Sequence, residues 1–491
     1  VLGINSEGQE ATSQDEAHAR LTYDITPELT AAITAGYWKQ DLSHRTDTFL
    51  RDANGQPVWS GPVTIGGQQY TIPANFFAPS TRQSRNYLYG VSLGTHRDSG
   101  WNIEGDASYF DMDKNRDRVA NAVTDNGMGL LTAGDGSRWR TFDLRASHTP
   151  DSLAPNTHTV SFGYHFDGYA LDNATYNLAN WRNGDAGALT SSNGGSTQTQ
   201  AVYLQDAWQL VERWRLTVGA RYEQWRAFNG SRATATATIG YPERKESHTS
   251  PKASLAFDAS DTVTLRLSGA RAYRFPTVSE LFQGTFNGIA LINNDPNLKP
   301  ENDLSRELSA EWYRPNGVAR FTVYRSDTRN TLFSQTDTTA FPNVTSVQNV
   351  GLVRTRGAEA SYDATGVWWS AFDLSANAAY TQATTVSNAR NPASEGKQFY
   401  RIPRWRANVI GTYHASEHVA MTLAGRYSGR QYNTLEHSDI HPDTFGGASA
   451  FLTFDAKVTW KASEHVELSA GVDNLTNRRY YVYYPYPSRS Y

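Results

Sequence analysis

Apolar and polar residues alternate with a period of two from one end of this chain to the other, and that pattern sets the fold class. In "RWRLTVGARYEQW" (213–225), Trp214, Leu216, Val218, Ala220 and Tyr222 fall on one face, with Arg215, Thr217, Arg221 and Glu223 on the other. "VTLRLSG" (263–269) sets Val263, Leu265 and Leu267 against Thr264, Arg266 and Ser268. "FLTFDAKVTW" (451–460) sets Leu452, Phe454, Ala456, Val458 and Trp460 against Thr453, Asp455, Lys457 and Thr459. Strict alternation is the mark of a strand with one apolar face. About eighteen such segments occur, most of them roughly 10–14 residues long, closer to a tilted membrane strand than to the 5–6 residues of an ordinary soluble one.

The connections alternate too. Short polar turns stand at 26–28, 97–100, 259–261, 314–317, 415–418 and 462–465. Long links run over 42–82, 115–136, 171–195, 228–247, 273–302, 327–345, 386–401 and 434–447. Tight turns at one end and long loops at the other describe an antiparallel transmembrane barrel, with periplasmic turns and extracellular loops. A propeller would show a blade motif repeating every 40–50 residues or so, and no such motif recurs. Apolar residues are 38% of the chain and mean hydropathy is −0.59. No apolar run is long enough for a membrane helix, but a barrel, half of whose residues face a polar lumen, needs none.

Cys is absent, which excludes disulfides and thiolate metal sites. A net charge of −4 without a basic run argues against nucleic acid as a partner. No catalytic motif is assembled, neither a nucleophile elbow nor a His-Glu-x-x-His, so no enzyme activity and no cofactor are expected. "EHSDIHPD" places His437 and His441 near Glu436, Asp439 and Asp443. Divalent-metal ligation is one reading, but four-residue spacing helps only on a helix, and a solvated loop is the preferred one.

Four further stretches carry a resemblance. "YRFPTVSELFQG" (273–284) leads to "DPNLKPENDLSRELSAEW" (295–312). "QNVGLVRTRGAEASYD" (348–363) contains Asn349, Gly357 and Glu359. "YRIPRWRANVIGTY" (400–413) and the C-terminal "VDNLTNRRYYVYYPYPSRSY" (472–491) complete the set. In this order they resemble the TonB-dependent outer-membrane receptors. The resemblance implies an all-β, antiparallel barrel of about 22 strands, of which about eighteen are counted here, in the outer membrane of a Gram-negative bacterium. It further implies a monomer in lipid that imports a scarce small molecule or metal chelate, most often a ferric siderophore, driven by a TonB-type protein acting through a plug. By strand parity, residues 1–491 are expected to be the barrel domain of such a receptor without its plug, its first strands and most of its last. The alternatives are a passive porin-like channel, a naturally plugless barrel, or an importer of cobalamin, haem or carbohydrate.

Aromatic residues in the long links are the candidate substrate contacts: Trp59 and Tyr70 in the first, Tyr176 and Trp181 in the third, Phe275 and Phe282 in the fifth. Tyr480, Tyr481, Tyr483, Tyr484 and Tyr486 read instead as part of an interfacial aromatic belt. Because Pro276, Pro296 and Pro300 cannot join a ladder, 273–302 should be irregular, partly folded, and extracellular.

Overall fold

The computed structural model describes residues 5–6, 9–65, 68–124, 126–152, 154–283, 285–286, 291–292, 294–337, 344–444 and 447–482. The alternating segments form β1 (Glu10–Thr26), β2 (Leu29–His44), β3 (Ser80–Thr95), β4 (Gly100–Ala120), β5 (Arg138–Thr149) and β6 (Thr157–Leu178). They continue as β7 (Leu189–Val211), β8 (Trp214–Thr234), β9 (Arg244–Ser260), β10 (Val263–Arg274), β11 (Glu301–Arg314) and β12 (Gly317–Asp337). The last are β13 (Val344–Ala364), β14 (Phe372–Ser387), β15 (Trp405–His414), β16 (Val419–Ser428), β17 (Phe451–Ser463) and β18 (Val466–Val472). Each pairs antiparallel with the next in chain order. Among the described residues β1 pairs only with β2, and β18 only with β17.

The register joins the apolar residues into one continuous face. Leu216 stands opposite Leu255, Leu255 opposite Leu267, Leu267 opposite Leu308 and Leu308 opposite Val323. Val218, Leu267, Val458 and Leu468 on this face are all exposed, as residues facing lipid must be. Aromatic residues bound the band: Trp101, Trp214, Trp312 and Trp460 near the short turns, Tyr89, Tyr109, Tyr222 and Trp405 toward the long links. These are the two girdles of a membrane barrel. The opposite parity carries Arg221, Arg266, Arg320, Asp455 and Lys457. It is the concave side, because Trp225 of β8 and Leu332 of β12, four strands apart, meet there in one buried cluster.

The strands exceed the sequence-based lengths. β7 has 23 residues and β6 has 22, so much of the link expected at 171–195 is ladder. Likewise β12 runs to Asp337 and β13 starts at Val344, so the link expected at 327–345 is mostly strand. Above the bilayer both faces of a strand meet water, so alternation fades while the backbone ladder continues.

Gly357, one of the motif residues, has a packing reason. It lies directly opposite Tyr324, whose ring occupies the space a Cβ would need and whose hydroxyl meets Thr381 Oγ1 at 3.0 Å. Gly357→Ala is expected to push that ring aside and cost about 1–3 kcal/mol, the usual penalty of overpacking. The check is the temperature at which the barrel loses its compact mobility on a denaturing gel. It should fall for Gly357→Ala and recover only in part in the Gly357→Ala/Tyr324→Ala pair, because the Tyr380 carbonyl also stands 2.6 Å from the Cβ position.

Candidate functional site

The segment between β10 and β11 is folded, not loose. Pro276 ends β10's ladder, and the next residue, Thr277, caps a single helical turn, α1 (Val278–Phe282). Thr277 Oγ1 accepts the Glu280 amide at 3.2 Å, and the Glu280 carboxylate accepts the Thr277 amide at 2.8 Å. This reciprocal box satisfies two helix-end donors that would otherwise lack partners. Arg274 then reaches two carboxylates, Glu280 at 3.1 Å and Glu301 at 2.7 Å, and so ties both strand ends to the helix.

An apolar plate holds α1 to the lumen wall. Leu281 and Phe282 are buried with Trp225, Ala227, Leu298 and Leu332. Phe275 stacks on Trp225 with ring centroids 5.6 Å apart, and Tyr241 stacks on Phe282 at 5.9 Å. Phe282 fits because Gly195 and Gly230 line its seat; a Cβ on either would overlap the ring. Gly230 faces inward because β8 carries a bulge there: Ser196 pairs with Phe228 but Gly194 with Ser231, and Asn229 takes a left-handed conformation at φ 54°. A bulge re-aims the residues beyond it.

The return leg, the Asp295–Glu301 stretch, is fastened through its backbone. Arg244 donates to Pro296 O at 2.6 Å and Leu298 O at 3.0 Å while pairing with Glu246 at 2.6 Å. Asn349 brackets Lys299, accepting its amide at 2.8 Å and donating to its carbonyl at 2.9 Å; it also donates to Asn330 O at 2.8 Å. Glu301 accepts the Leu332 amide at 2.6 Å. Asn349→Ala removes three bonds, two on exposed Lys299 and one on half-buried Asn330, each an ordinary hydrogen bond of about 0.5–1.5 kcal/mol. Hydrogen exchange at Leu298 and Lys299 should accelerate in that variant, while exchange in β17 and β18 stays as it was.

The other candidates are dispersed. Trp59 packs edge-on against the buried Phe77 at 5.7 Å. Tyr70 is 52% exposed on the hairpin of Gly61–Ile65 and Gln68–Ile72. Tyr176 is half-buried in β6 at a register shift. Trp181 is 2% exposed, its indole N–H donating to Thr124 O at 3.1 Å, so it pins two loops together. Tyr480 is buried and stacks on Phe451 at 4.2 Å rather than facing the interface; Tyr481 donates its amide to Ser449 Oγ at 3.0 Å. Tyr483, Tyr484 and Tyr486 lie outside the described residues.

His437 stacks on Tyr432 at 3.5 Å, and its Nε2 is 2.7 Å from Gln398 O, to which it donates. Burial holds this imidazole below its usual range, with the Gln398 bond opposing. His441 is exposed. Among the described residues no group of three or more metal-ligating side chains is assembled.

The sequence shows the capping box as Thr277-x-x-Glu280, but gives no sign of Arg244, Trp225, Gly195 or Leu332 as partners of the loop.

Comparison with known proteins agrees with this architecture. Residues 21–475 match the family model described as "TonB dependent receptor-like, beta-barrel". The ferric enterobactin receptor of Pseudomonas aeruginosa is 21% identical over 96% of this chain, which spans 62% of that protein's length. The ferrienterobactin receptor of Escherichia coli is 24% identical over 47% of this chain and 32% of its own length. The crystal structure of the siderophore receptor PiuA from Acinetobacter baumannii superposes with a TM-score of 0.67 at 16% identity, covering 96% of this chain and 71% of that one. With its inward charges, lipid-facing band, two girdles and clipped mouth loop, the chain belongs to the TonB-dependent receptors of the Gram-negative outer membrane, whose β-barrel it forms.

Proposed function

We propose that this barrel serves energy-coupled uptake of a ferric siderophore, with the long extracellular loops gathering the chelate and a TonB-type protein driving its release inward through a plug. The carrying observation is the mouth. A loop is clipped to the inner wall at Trp225 and Leu332, above a lumen face bearing Lys252, Arg266, Glu307 and Tyr324 around a polar cavity of about 390 Å³. Such a wall suits a hydrophilic solute and a polar plug surface. The receptors named for ferric enterobactin and the siderophore receptor PiuA favour this substrate class. The work is binding and gating, so no catalytic group is required, and one barrel can act alone as a monomer.

Within this reading, exposed Tyr70 and half-buried Trp59 and Tyr176 contact ligand first, whereas buried Phe282 and Trp181 shape the loops that present them. The test is uptake of radioactive iron as ferric enterobactin by cells carrying the full receptor. Uptake should stop with a protonophore or without the energy-coupling protein, while surface binding persists. Uptake that continues without energy would favour the channel reading. Energy-dependent uptake of a different chelate alone would overturn ferric enterobactin as the substrate but not the transporter.

A further inference from the structure

The lipid-facing wall of β5–β9 carries a feature that transport does not use. The register puts Arg140, Gly168, Gln198, Arg226 and Lys245 in one cross-strand row on the outward face, toward the long loops. The next row toward the membrane holds Phe142, Phe166, Gln200, Gln224 and Ser247. Below it comes an apolar depression of about 860 Å³, walled by Leu144, Phe162, Tyr164, Val202, Leu204 and Tyr222. It is hollow because Ala146 and Ala220 are small. Immediately above it, Gln198, Gln200, Gln224, Arg226 and Lys245 line a second, polar cavity of about 330 Å³.

The charge of this row is unbalanced. Arg140 lies over the Phe166 ring at 5.5 Å, with no carboxylate in ion-pair range among the described residues. Arg226 and Lys245 share a single carboxylate, Glu243, at 2.8 and 3.0 Å. The buried Nε–H of Arg226 has no acceptor. On β2 and β3 the cations are matched instead: Lys39 lies at 3.6 and 3.1 Å from Asp15 and Asp41, and Arg85 at 2.5 Å from Asp113.

We propose that this patch binds one phosphorylated, multiply acylated lipid of the outer leaflet, its acyl chains in the depression and its phosphates on Arg140 and on the Arg226–Lys245 pair. Arg140 and Arg226 stand three strands apart, about 14 Å at the usual strand spacing, so the headgroup carries two separated phosphates. Guanidinium forks suit phosphate, and amide side chains such as Gln198 and Gln224 suit the sugar or ester groups between.

The test uses the full receptor in detergent with bisphosphoryl lipid A, its dephosphorylated form, and inorganic phosphate, and reads retained lipid by native mass spectrometry. The wild type should hold bisphosphoryl lipid A at least tenfold more tightly than the dephosphorylated form. The preference should vanish in Arg140→Gln/Arg226→Gln/Lys245→Gln. Ala220→Trp, which fills the depression, should weaken both lipids. All variants should keep the wild-type heat-dependent gel mobility and bind ferric chelate as before. Equal affinity for the two lipids, or a triple variant that keeps the preference, overturns the proposal. Full competition by millimolar inorganic phosphate overturns it as well, by making the row a free-phosphate site.

Discussion

Phe282→Ala should release α1 from the lumen wall while leaving the barrel folded. Phe282 is the largest side chain of a helix only one turn long, and a single turn has no stability of its own. Deleting a buried phenyl ring costs about 3–5 kcal/mol, as much as a local docking equilibrium of this size can hold. The capping box and the Arg274–Glu280 pair would then sit on an undocked segment, where exposed ion pairs contribute about 0–1 kcal/mol. Hydrogen exchange should rise sharply over 277–283, and added protease should cleave there, with the heat-dependent gel mobility of the barrel unchanged. Gly230→Ala tests the same contact from the wall: it keeps the ring but fills its seat, so it should reproduce the exchange pattern. Unaltered protection of α1 in Phe282→Ala would mean that the polar clip, not the apolar plate, holds the loop. Ligand affinity measured on the same variants separates the two roles of the loop. Affinity that falls together with protection assigns Phe282 to shaping the mouth. Unchanged affinity leaves the loop a clasp between two strands.

Much of this was legible because a membrane barrel writes its geometry into local sequence. The parity of Leu216, Leu267 and Val458 is dictated by what each strand meets on either side, so no tertiary knowledge is needed to read it. The side of the β10–β11 loop follows from short and long connections alone. The legible part ends where partners are distant in sequence. Asn349 stands out as a motif residue, yet its role depends on Lys299, fifty positions earlier. Arg244 looks like any strand-end cation, and only the fold brings the carbonyls of Pro296 and Leu298 to it. Loop aromatics were the hardest to sort. Composition presents Trp181 and Tyr70 alike, but one is sealed by Thr124 and the other stands in solvent. Strand length failed for the opposite reason: above the membrane, a ladder needs no apolar face, so its sequence stops announcing it.

Leu308→Arg probes the facing of the wall most directly, and its effect should be among the largest. Leu308 is half exposed and flanked by Leu267 and Val323 on the neighbouring strands. A guanidinium there has no partner on its own face, and near the middle of the bilayer it costs about 2–4 kcal/mol. Ser305→Arg is the matched control on the same strand: Ser305 faces the lumen, beside Glu307 in the polar cavity. The two variants add the same side chain and the same charge three residues apart on one strand, so the facing of the guanidinium is the main difference between them. Equilibrium unfolding in urea from lipid vesicles should show a lower midpoint for Leu308→Arg and little change for Ser305→Arg. The difference should shrink in detergent, where a micelle deforms around a charge more readily than a bilayer. Were Ser305→Arg the more damaging in vesicles, the assignment of inner and outer faces would be inverted. The lumen clip at Trp225 and Leu332 and the outward row at Arg140 and Arg226 would then both have to change sides.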